Sequence, residues 1–327
     1  MMDGKRCYTS LLDAVGNTPM VRLKWITEGL KSEVYAKLEF VNPMGSSKDR
    51  IARYMIEKAE REGRIKPGDT IVESSSGNTA LGLALVAIQK GYKLKVIVRD
   101  RTSKEKVNSL RALGAEIHFV DSTLPPESPD SYNNVAPRIV KETPNSYFPD
   151  QHNNRENNEA HYAATGPEIW EQMDGEIDYF VAGVGTGGTI SGVSRYLKER
   201  NPKIKVIGVD TVGSVFTHYF YHRERVEPSP YLTEGLGDEF IINCVEWELI
   251  DDMYQISDKE AFHHTRELAR REGLLVGGSS GAVMAGVLRL AREIDRPARI
   301  ATLFADGATR YLSTIFNDEW MSEKGML

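Results

Sequence analysis

Apolar and polar positions follow two different periods along the chain, and the two take turns. Continuous or alternating apolar runs bounded by turn residues predict strands at EVYAKLEF (33–40), TIVE (70–73), KLKVIVR (93–99) and EIHFV (116–120). Further strands are predicted at DYFVAG (178–183), KVIGVD (205–210) and RIATLFA (299–305). Between them apolar residues recur every three or four positions, which predicts helices at DRIARYMIEKAEREG (49–63), KVNSLRALG (106–114) and GPEIWEQM (166–173). SDKEAFHHTRELARREG (257–273) and AVMAGVLRLAREI (282–294) carry the same period. Such alternation defines an α/β protein with mostly parallel sheets flanked by helices. The Pro/Ser/Asn-rich stretch 122–134 and the polar stretch 222–235 read as loops.

Two segments repeat one plan. TIVESSSGNTALGLALVAIQKGYKLKVIVRD (70–100) and DYFVAGVGTGGTISGVSRYLKERNPKIKVIGVD (178–210) each run strand, small-residue loop, helix, strand. Each loop sets backbone N–H groups at a helix N-terminus, where unpaired donors and the helix dipole favour an anion. Glycine and serine are also ordinary turn and cap residues, so two βαβ units with tight turns account for the same pattern. Read as cradles, the two loops suit a ligand set with two anionic groups.

Composition narrows the partners. The chain has 327 residues, enough for two domains with buried cores, and 40% hydrophobic with 27% charged residues is ordinary globular usage. A formal net charge of -6 argues against nucleic acid or an anionic membrane as the main partner. The only cysteines are Cys7 and Cys244, with no CxxC pair and no metal-ligand spacing, so a reducing compartment and no metal are expected. The opening MMDGKRCYTS has no apolar core and no run approaches a membrane span, which leads to an expected cytoplasmic location. A domain join is expected near 145–155.

Two motifs carry chemistry. In GVGTGG, Gly183, Gly185 and Gly188 have the spacing of the dinucleotide fingerprint, and Asp210 ends the next strand-like run. Alone, that pattern reads as a NAD(P)-dependent or flavin oxidoreductase. NPMGSSKDR (42–50) does not fit it. Ser46 and Ser47 suit a helix cap, and Lys48 then falls in the first turn, where the dipole disfavours a cation. A surface lysine is the common explanation; an amine held as a Schiff base is the other.

In chain order, LLDAVGNTPMVRL, NPMGSSKDR, SSSGNTALGLA, SKEKVNSLRALGAEI, DQHNN, TGPEIW, GVGTGGTISG, TEGLGDEF, EGLLVGGSSGA and RYLST resemble one family's motifs. It is the fold-type-II pyridoxal-phosphate enzymes of the cysteine synthase and cystathionine β-synthase group, and the resemblance runs nearly end to end. It implies a two-domain α/β fold of the tryptophan synthase β type. A smaller mobile domain over 40–150 would carry the substrate-carboxylate loop. A larger domain over 1–39 and 151–327 would bind the cofactor phosphate, with the cofactor between them.

Site residues follow from the same resemblance. Lys48 matches the Schiff-base lysine and general base. Gly185, Thr186, Gly187, Gly188 and Thr189 match a cup for one phosphate, which makes Asp210 a strand-end residue rather than a ribose ligand. Asn78 matches the asparagine that bonds the cofactor 3′-oxygen. Ser75, Ser76 and Thr79 match the loop that closes on the substrate carboxylate, with Gln151 as a further carboxylate contact and Gly235 as a substrate-binding position. Ser279, the first serine of GGSSG, matches the hydroxyl facing the pyridine nitrogen; by position alone it reads equally well as the cap of a helix starting near Ala282. A hydroxyl does not keep that nitrogen protonated as a carboxylate would, which weakens the ring as an electron sink and suits β-replacement over transamination.

The implied reaction is replacement of the β-substituent of L-serine, or of an O-activated serine, by a thiol, as in the condensation of serine with homocysteine to cystathionine. Cysteine synthase activity on O-acetylserine and sulfide, and amine addition to build a diamino acid, are the alternatives within the family. The loop reads Ser75-Ser76-Gly77-Asn78-Thr79-Ala80 where the family usually has Thr-Ser-Gly-Asn-Thr-Gly. Asp238 stands where cystathionine synthases commonly carry tyrosine, and VDTVGSV (209–215) resembles the amine-adding relatives. Amino-acid substrates, a homodimer, and no haem, nucleic acid or membrane partner complete what the resemblance and composition imply. A silent binding subunit is a weaker reading because Lys48, Asn78 and Ser279 are all present, and a serine or threonine deaminase is weaker because those enzymes usually have a different lysine context and phosphate loop.

Overall fold

In the computed structural model, which describes residues 7–125 and 128–327, the two periods become strands and helices in alternation. The strands are β1 (Met20–Leu23), β2 (Glu33–Leu38), β3 (Thr70–Ser74), β4 (Lys93–Arg99), β5 (Glu116–Val120) and β6 (Ser146–Tyr147). They continue with β7 (Tyr179–Gly183), β8 (Lys205–Thr211), β9 (Asp252–Ile256) and β10 (Arg299–Phe304). The helices begin with α1 (Lys48–Arg61), α2 (Asn78–Lys90), α3 (Lys104–Ala112), α4 (Val135–Glu142) and α5 (Glu156–Ala160), which runs into a π-turn at His161–Thr165. After it come α6 (Gly166–Gln172), α7 (Gly188–Arg200), α8 (Phe216–His222), α9 (Asp258–Glu267), α10 (Gly278–Ile294) and α11 (Asp318–Glu323).

The chain divides into two compact units. The first holds the described residues up to Asn17 and Asn42–Glu156; the second holds Thr18–Val41 and Asn157–Leu327. In the first, a parallel sheet of order β5-β4-β3-β6 is covered on both faces. Ile71, Val96 and Val98 pack with Ala52 and Ile56 of α1 and Leu83 and Ala87 of α2. Val72 and Ile97, one position along, turn to the opposite face and meet Val135, Ala136 and Ile139 of α4.

In the second unit the sheet order is β1-β2-β10-β7-β8-β9, antiparallel only between β1 and β2. Val181, Ile207, Val209 and Ile300 face Val283, Met284 and Val287 of α10. Phe180, Ala182, Val206 and Ala301 face Ile190, Val193 and Leu197 of α7. The β3-α2-β4 and β7-α7-β8 segments are the two βαβ units that the sequence plan predicted.

Some elements differ from expectation. The short strands β1, β6 and β9 and the helices α4, α8 and α11 were not evident from periodicity. In α4, Pro137 is tolerated because first-turn N–H groups have no partner within the helix. The helix predicted over 257–273 is α-helical through Glu267, continues as a π-turn, and stops at Gly273 in left-handed conformation.

Lys37 of β2 is fully buried. Its Nζ donates to Thr18 O at 3.0 Å and Gln172 Oε1 at 2.8 Å, and pairs with Glu168 Oε2 at 2.7 Å. Removing one member of a buried pair strands the other, at a cost of about 3 kcal/mol or more. Lys37→Met is expected to lower unfolding stability by roughly that amount in a urea titration. A change below about 1 kcal/mol would show that Glu168 reaches water instead.

Candidate active site

In the first unit β3 ends at Ser74, and Ser75, Ser76 and Gly77 turn the chain into α2. Gly77 is the N-cap, no side chain caps the helix, and Asn78 and Thr79 are its first two residues. Thr79 Oγ1 donates to Gln151 Oε1 at 2.5 Å, and the Gly77 N–H donates to Ser75 Oγ at 3.3 Å. Ser75, Asn78, Thr79 and Gln151 thus gather at the carboxyl end of a parallel strand, where open α/β sheets bind ligands. Ser76 lies half-buried in the same loop.

Lys48 is the first residue of α1. The Ser46 hydroxyl accepts its N–H at 3.2 Å, so Ser46 serves the helix start, while Ser47 makes no side-chain cap. Asp49, fully buried in the first turn, accepts the Met44 N–H at 2.6 Å and brings negative charge to the positive end of the dipole. Gly82 of α2 lies against the backbone of Lys48: a Cβ there would sit 2.9 Å from the Lys48 carbonyl oxygen and 3.1 Å from the Ala52 Cβ. That close crossing sets the first turns of α1 and α2 side by side, and with them Lys48 and Asn78. His152 stands within electrostatic reach; burial pushes its pKa down, the Lys48 charge adds to this and Asp150 opposes it.

In the second unit β7 runs into the loop 184–187 and then α7, whose N-cap is Gly187 at φ 85° with no side-chain cap. The glycines are there for space. A Cβ on Gly185 would collide with the Gly235 carbonyl oxygen, and one on Gly188 would collide with the Asn157 amide. One on Gly187 would lie 2.7 Å from Val245 Cγ2 and 2.8 Å from the Cys244 carbonyl carbon. The Thr186 hydroxyl accepts from Asn157 Nδ2 at 3.1 Å, and Thr189 Oγ1 lies 3.2 Å from His161 Nε2. Gly235, at φ 85°, is brought against Gly185.

Ser279 is buried inside the first turn of α10, which begins at Gly278 rather than near Ala282. Its N-cap is Gly277 and no side chain caps it, so Ser279 is not a capping hydroxyl. Asp210 is buried at the end region of β8. Its Oδ1 accepts the Thr211 N–H at 2.9 Å and its Oδ2 accepts the Thr217 N–H at 2.9 Å and hydroxyl at 2.8 Å, so this carboxylate is committed to the local turn. Among the described residues no cluster of His, Cys, Asp or Glu suits a metal ion, and no helix is long and apolar enough to cross a membrane. Cys7 is exposed and Cys244 buried, both as free thiols.

These residues fit pyridoxal phosphate. A loop that admits no Cβ, leading into an uncapped helix N-terminus, offers N–H donors to one phosphate. A lysine and an asparagine head neighbouring helices, and a serine hydroxyl sits in the first turn of α10. Asn157, His161 and His152 were not identified as candidates; all three lie in HNNRENNEAHY (152–162), whose polar composition resembles a solvated segment.

Comparison with known proteins agrees with the geometry. The family model described as "Pyridoxal-phosphate dependent enzyme" matches residues 11–306. Cystathionine beta-synthase of Mus musculus is 44% identical over 319 residues, covering 97% of this chain and 57% of that protein. An O-acetylserine dependent cystathionine beta-synthase from Helicobacter pylori superposes with a TM-score of 0.86 at 39% identity, covering 94% of this chain and 98% of that one. A hydrogen sulfide-producing enzyme from Fusobacterium nucleatum gives a TM-score of 0.86 at 35% identity, covering 94% and 98%. The chain belongs to the pyridoxal-phosphate-dependent enzyme family, with the fold-type-II architecture and the cofactor that its motifs implied. This removes the dinucleotide reading of GVGTGG. The chain spans less than two thirds of the length of the curated relatives it matches, 57% of the mouse protein and 64% of that from Apis mellifera.

Proposed function

We propose that this chain catalyses β-replacement on L-serine or an O-activated serine by a thiol, in the manner of a cystathionine β-synthase. The observation that carries the reading is Lys48: an amine on the first helical position, set by Ser46 and by the Gly82 crossing, where a free cation is disfavoured. Similarity to proteins named cystathionine beta-synthase over nearly the whole chain supports the same reading.

Bound pyridoxal phosphate supplies an electron sink for charge developing at the substrate α-carbon. The remaining tasks fall to side chains. Lys48 Nζ would hold the cofactor; as a base it would take the substrate α-proton and later return it to the same carbon once the β-substituent has been exchanged. Gly185 to Thr189 would hold the phosphate, Asn78 would bond the 3′-oxygen and Ser279 would meet the pyridine nitrogen. Ser75, Ser76, Thr79 and Gln151 take the substrate carboxylate, with Gly235 beside the bound substrate. Closure of that loop would exclude water from the reactive carbon. The smaller unit as the moving part, a homodimer, a cytoplasmic location and the lack of haem belong to the same proposal; the free thiols Cys7 and Cys244 support a reducing compartment.

A second reading concerns the donor. The Helicobacter pylori neighbour is named for dependence on O-acetylserine, which favours an acetylated donor here too. The deciding experiment follows the visible spectrum of purified protein through additions of L-serine, O-acetyl-L-serine, homocysteine and sulfide. One donor is expected to shift the band and one thiol to restore it. A band that no donor shifts would remove the β-replacement reading.

A further inference from the structure

His161 opens the π-turn that leads into α6, and Thr165 closes it, four positions on and on the same side of the coil. Both are shut away from water, His161 at 1% exposure and Thr165 at 0%. The imidazole lies between two hydroxyls. Its Nδ1 is 2.9 Å from Thr165 Oγ1, and its Nε2 is 3.2 Å from Thr189 Oγ1 in the first turn of α7. That approach depends on Gly192, because a Cβ there would sit 2.9 Å from the His161 Cβ and would collide with the Asn158 carbonyl oxygen.

The supply of protons orients the three groups. A hydroxyl has one proton to give, and a neutral imidazole has one N–H and one bare nitrogen. Among the described residues, the Thr165 hydroxyl has Nδ1 as its one hydrogen-bonding partner. If Nδ1 carried a proton, in the other tautomer or in the imidazolium, Thr165 could only accept there. Its own proton would then be buried with no acceptor. An unmet buried donor disfavours that arrangement by about fivefold to a hundredfold. With Nδ1 bare, Thr165 donates to it, the ring proton sits on Nε2, and Nε2–H donates to Thr189 Oγ1. Thr189 keeps its own proton to give, and unlike Thr165 it is only half-buried, directly after the loop that heads α7.

We propose that Thr165 and His161 are positioning residues that set the Thr189 hydroxyl as a donor to the cofactor phosphate. Donation runs from Thr165 Oγ1 to Nδ1, and from Nε2 to Thr189 Oγ1, whose proton is left for a phosphate oxygen. The proposal rests on the reading of Gly185 to Thr189 as the phosphate cup. An ionised phosphate oxygen accepts hydrogen bonds, so a hydroxyl beside it binds best when its proton points at the anion and its oxygen is satisfied from behind. In the opposite tautomer Thr189 would spend its proton on Nε2 and turn a lone pair toward the phosphate.

The first measurement is the tautomer, read from the ring nitrogen NMR shifts of histidine-labelled, cofactor-loaded protein, with His161→Gln identifying the signal. A protonated Nε2 and a bare Nδ1 are expected; a proton on Nδ1 overturns the proposal. The second titrates apoprotein with pyridoxal 5′-phosphate and with pyridoxal, which lacks the phosphate. Thr189→Val is expected to weaken pyridoxal phosphate binding by about ten- to a hundredfold, the effect of one hydrogen bond to a charged group, and pyridoxal binding by less than about twofold. Thr165→Val keeps the shape, takes the donor from Nδ1, and should weaken the phosphate form alone by about three- to tenfold. Thr165→Ser, which restores the donor, should stay within about twofold. A Thr165→Val loss shared equally by the two aldehydes would mark a role in packing only, and no loss would show Thr189 oriented without help. Either result overturns the proposal. Should Thr165→Val not fold, the ring nitrogens of the unsubstituted protein still decide. If Thr189→Val binds pyridoxal phosphate as tightly as the unsubstituted chain, the phosphate-cup reading of Thr189 fails and the proposal falls with it. A protonated Nδ1 beside a normal Thr189→Val loss refutes the proposal alone.

Discussion

Lys48→Ala, purified without added amine, is expected to lose at least about a thousandfold in turnover with any donor, and its bound cofactor should lack the yellow band of the unsubstituted protein. A positioned general base typically contributes a factor of about 10² to 10⁴. This amine has a second task, holding the cofactor covalently between turnovers, so the upper part of that range applies. Lys48 is half-buried at the first position of α1, and the backbone contacts there, through the Ser46 hydroxyl and the Gly82 crossing, are kept by the change. Thermal unfolding should therefore move little. Lys48→Arg separates charge from chemistry, because a guanidinium keeps the cation but neither forms the linkage nor gives up a proton near neutral pH. It should be as inactive as the alanine variant, and a small added amine should restore part of the turnover in Lys48→Ala alone. A Lys48→Arg protein within tenfold of full activity would assign the base to another group, with His152 the first to examine.

How far the sequence showed this arrangement depends on the range of the interaction. The βαβ segments were legible because apolar periodicity within thirty or so residues decides them: each inner strand of a doubly covered sheet reads as a continuous apolar run. The division of the chain was not visible in any local pattern, and the expectation that 1–39 joins 151–327 came from the family resemblance alone. Residues 18–41 lie in the second unit, where β2 pairs in parallel with β10 from Glu33↔Arg299 to Leu38↔Phe304, whereas the described residues up to Asn17, and 151–156, lie in the first. β9, DMYQI, hides for a different reason: acidic and amide side chains interrupt its short apolar pattern.

Individual site positions divide in the same way. The glycines of GVGTGG stood out, yet their spacing fitted two ligands; the buried and fully hydrogen-bonded Asp210 takes away the ribose contact that one of these requires. Ser279 was ambiguous until its helix proved to start at Gly278. Asn157 and His161 are silent in sequence because polar residues on a short helix look solvated. Here they face the loop before α7 and hold the hydroxyls of Thr186 and Thr189.

That loop carries the second large effect. Gly185→Ala is expected to weaken pyridoxal phosphate binding by at least about a hundredfold while the protein remains folded. The added methyl group would meet the carbonyl oxygen of Gly235, a backbone atom with no rotamer to yield, so the 184–187 loop itself must shift. Each N–H bond to an anionic oxygen is worth about 1.5–3 kcal/mol, and misaiming two of them costs two or more factors of ten in affinity. The β7 core next to the loop should change little, because no side chain of Phe180, Val181 or Ala182 is among the atoms within 4 Å of the new methyl. Cofactor-free protein should therefore unfold within a few degrees of the unsubstituted apo form, while the stabilisation normally gained on adding pyridoxal phosphate is lost. Gly235→Ala makes the informative partner, since its Cβ would meet nothing within 4 Å and its cost is confined to a φ of 85°. At about 1–2 kcal/mol of backbone strain it should weaken cofactor binding far less than Gly185→Ala does. If Gly185→Ala binds the cofactor as tightly as the unsubstituted chain, the phosphate does not rest on this loop, and the assignment of Gly185 to Thr189 falls with it.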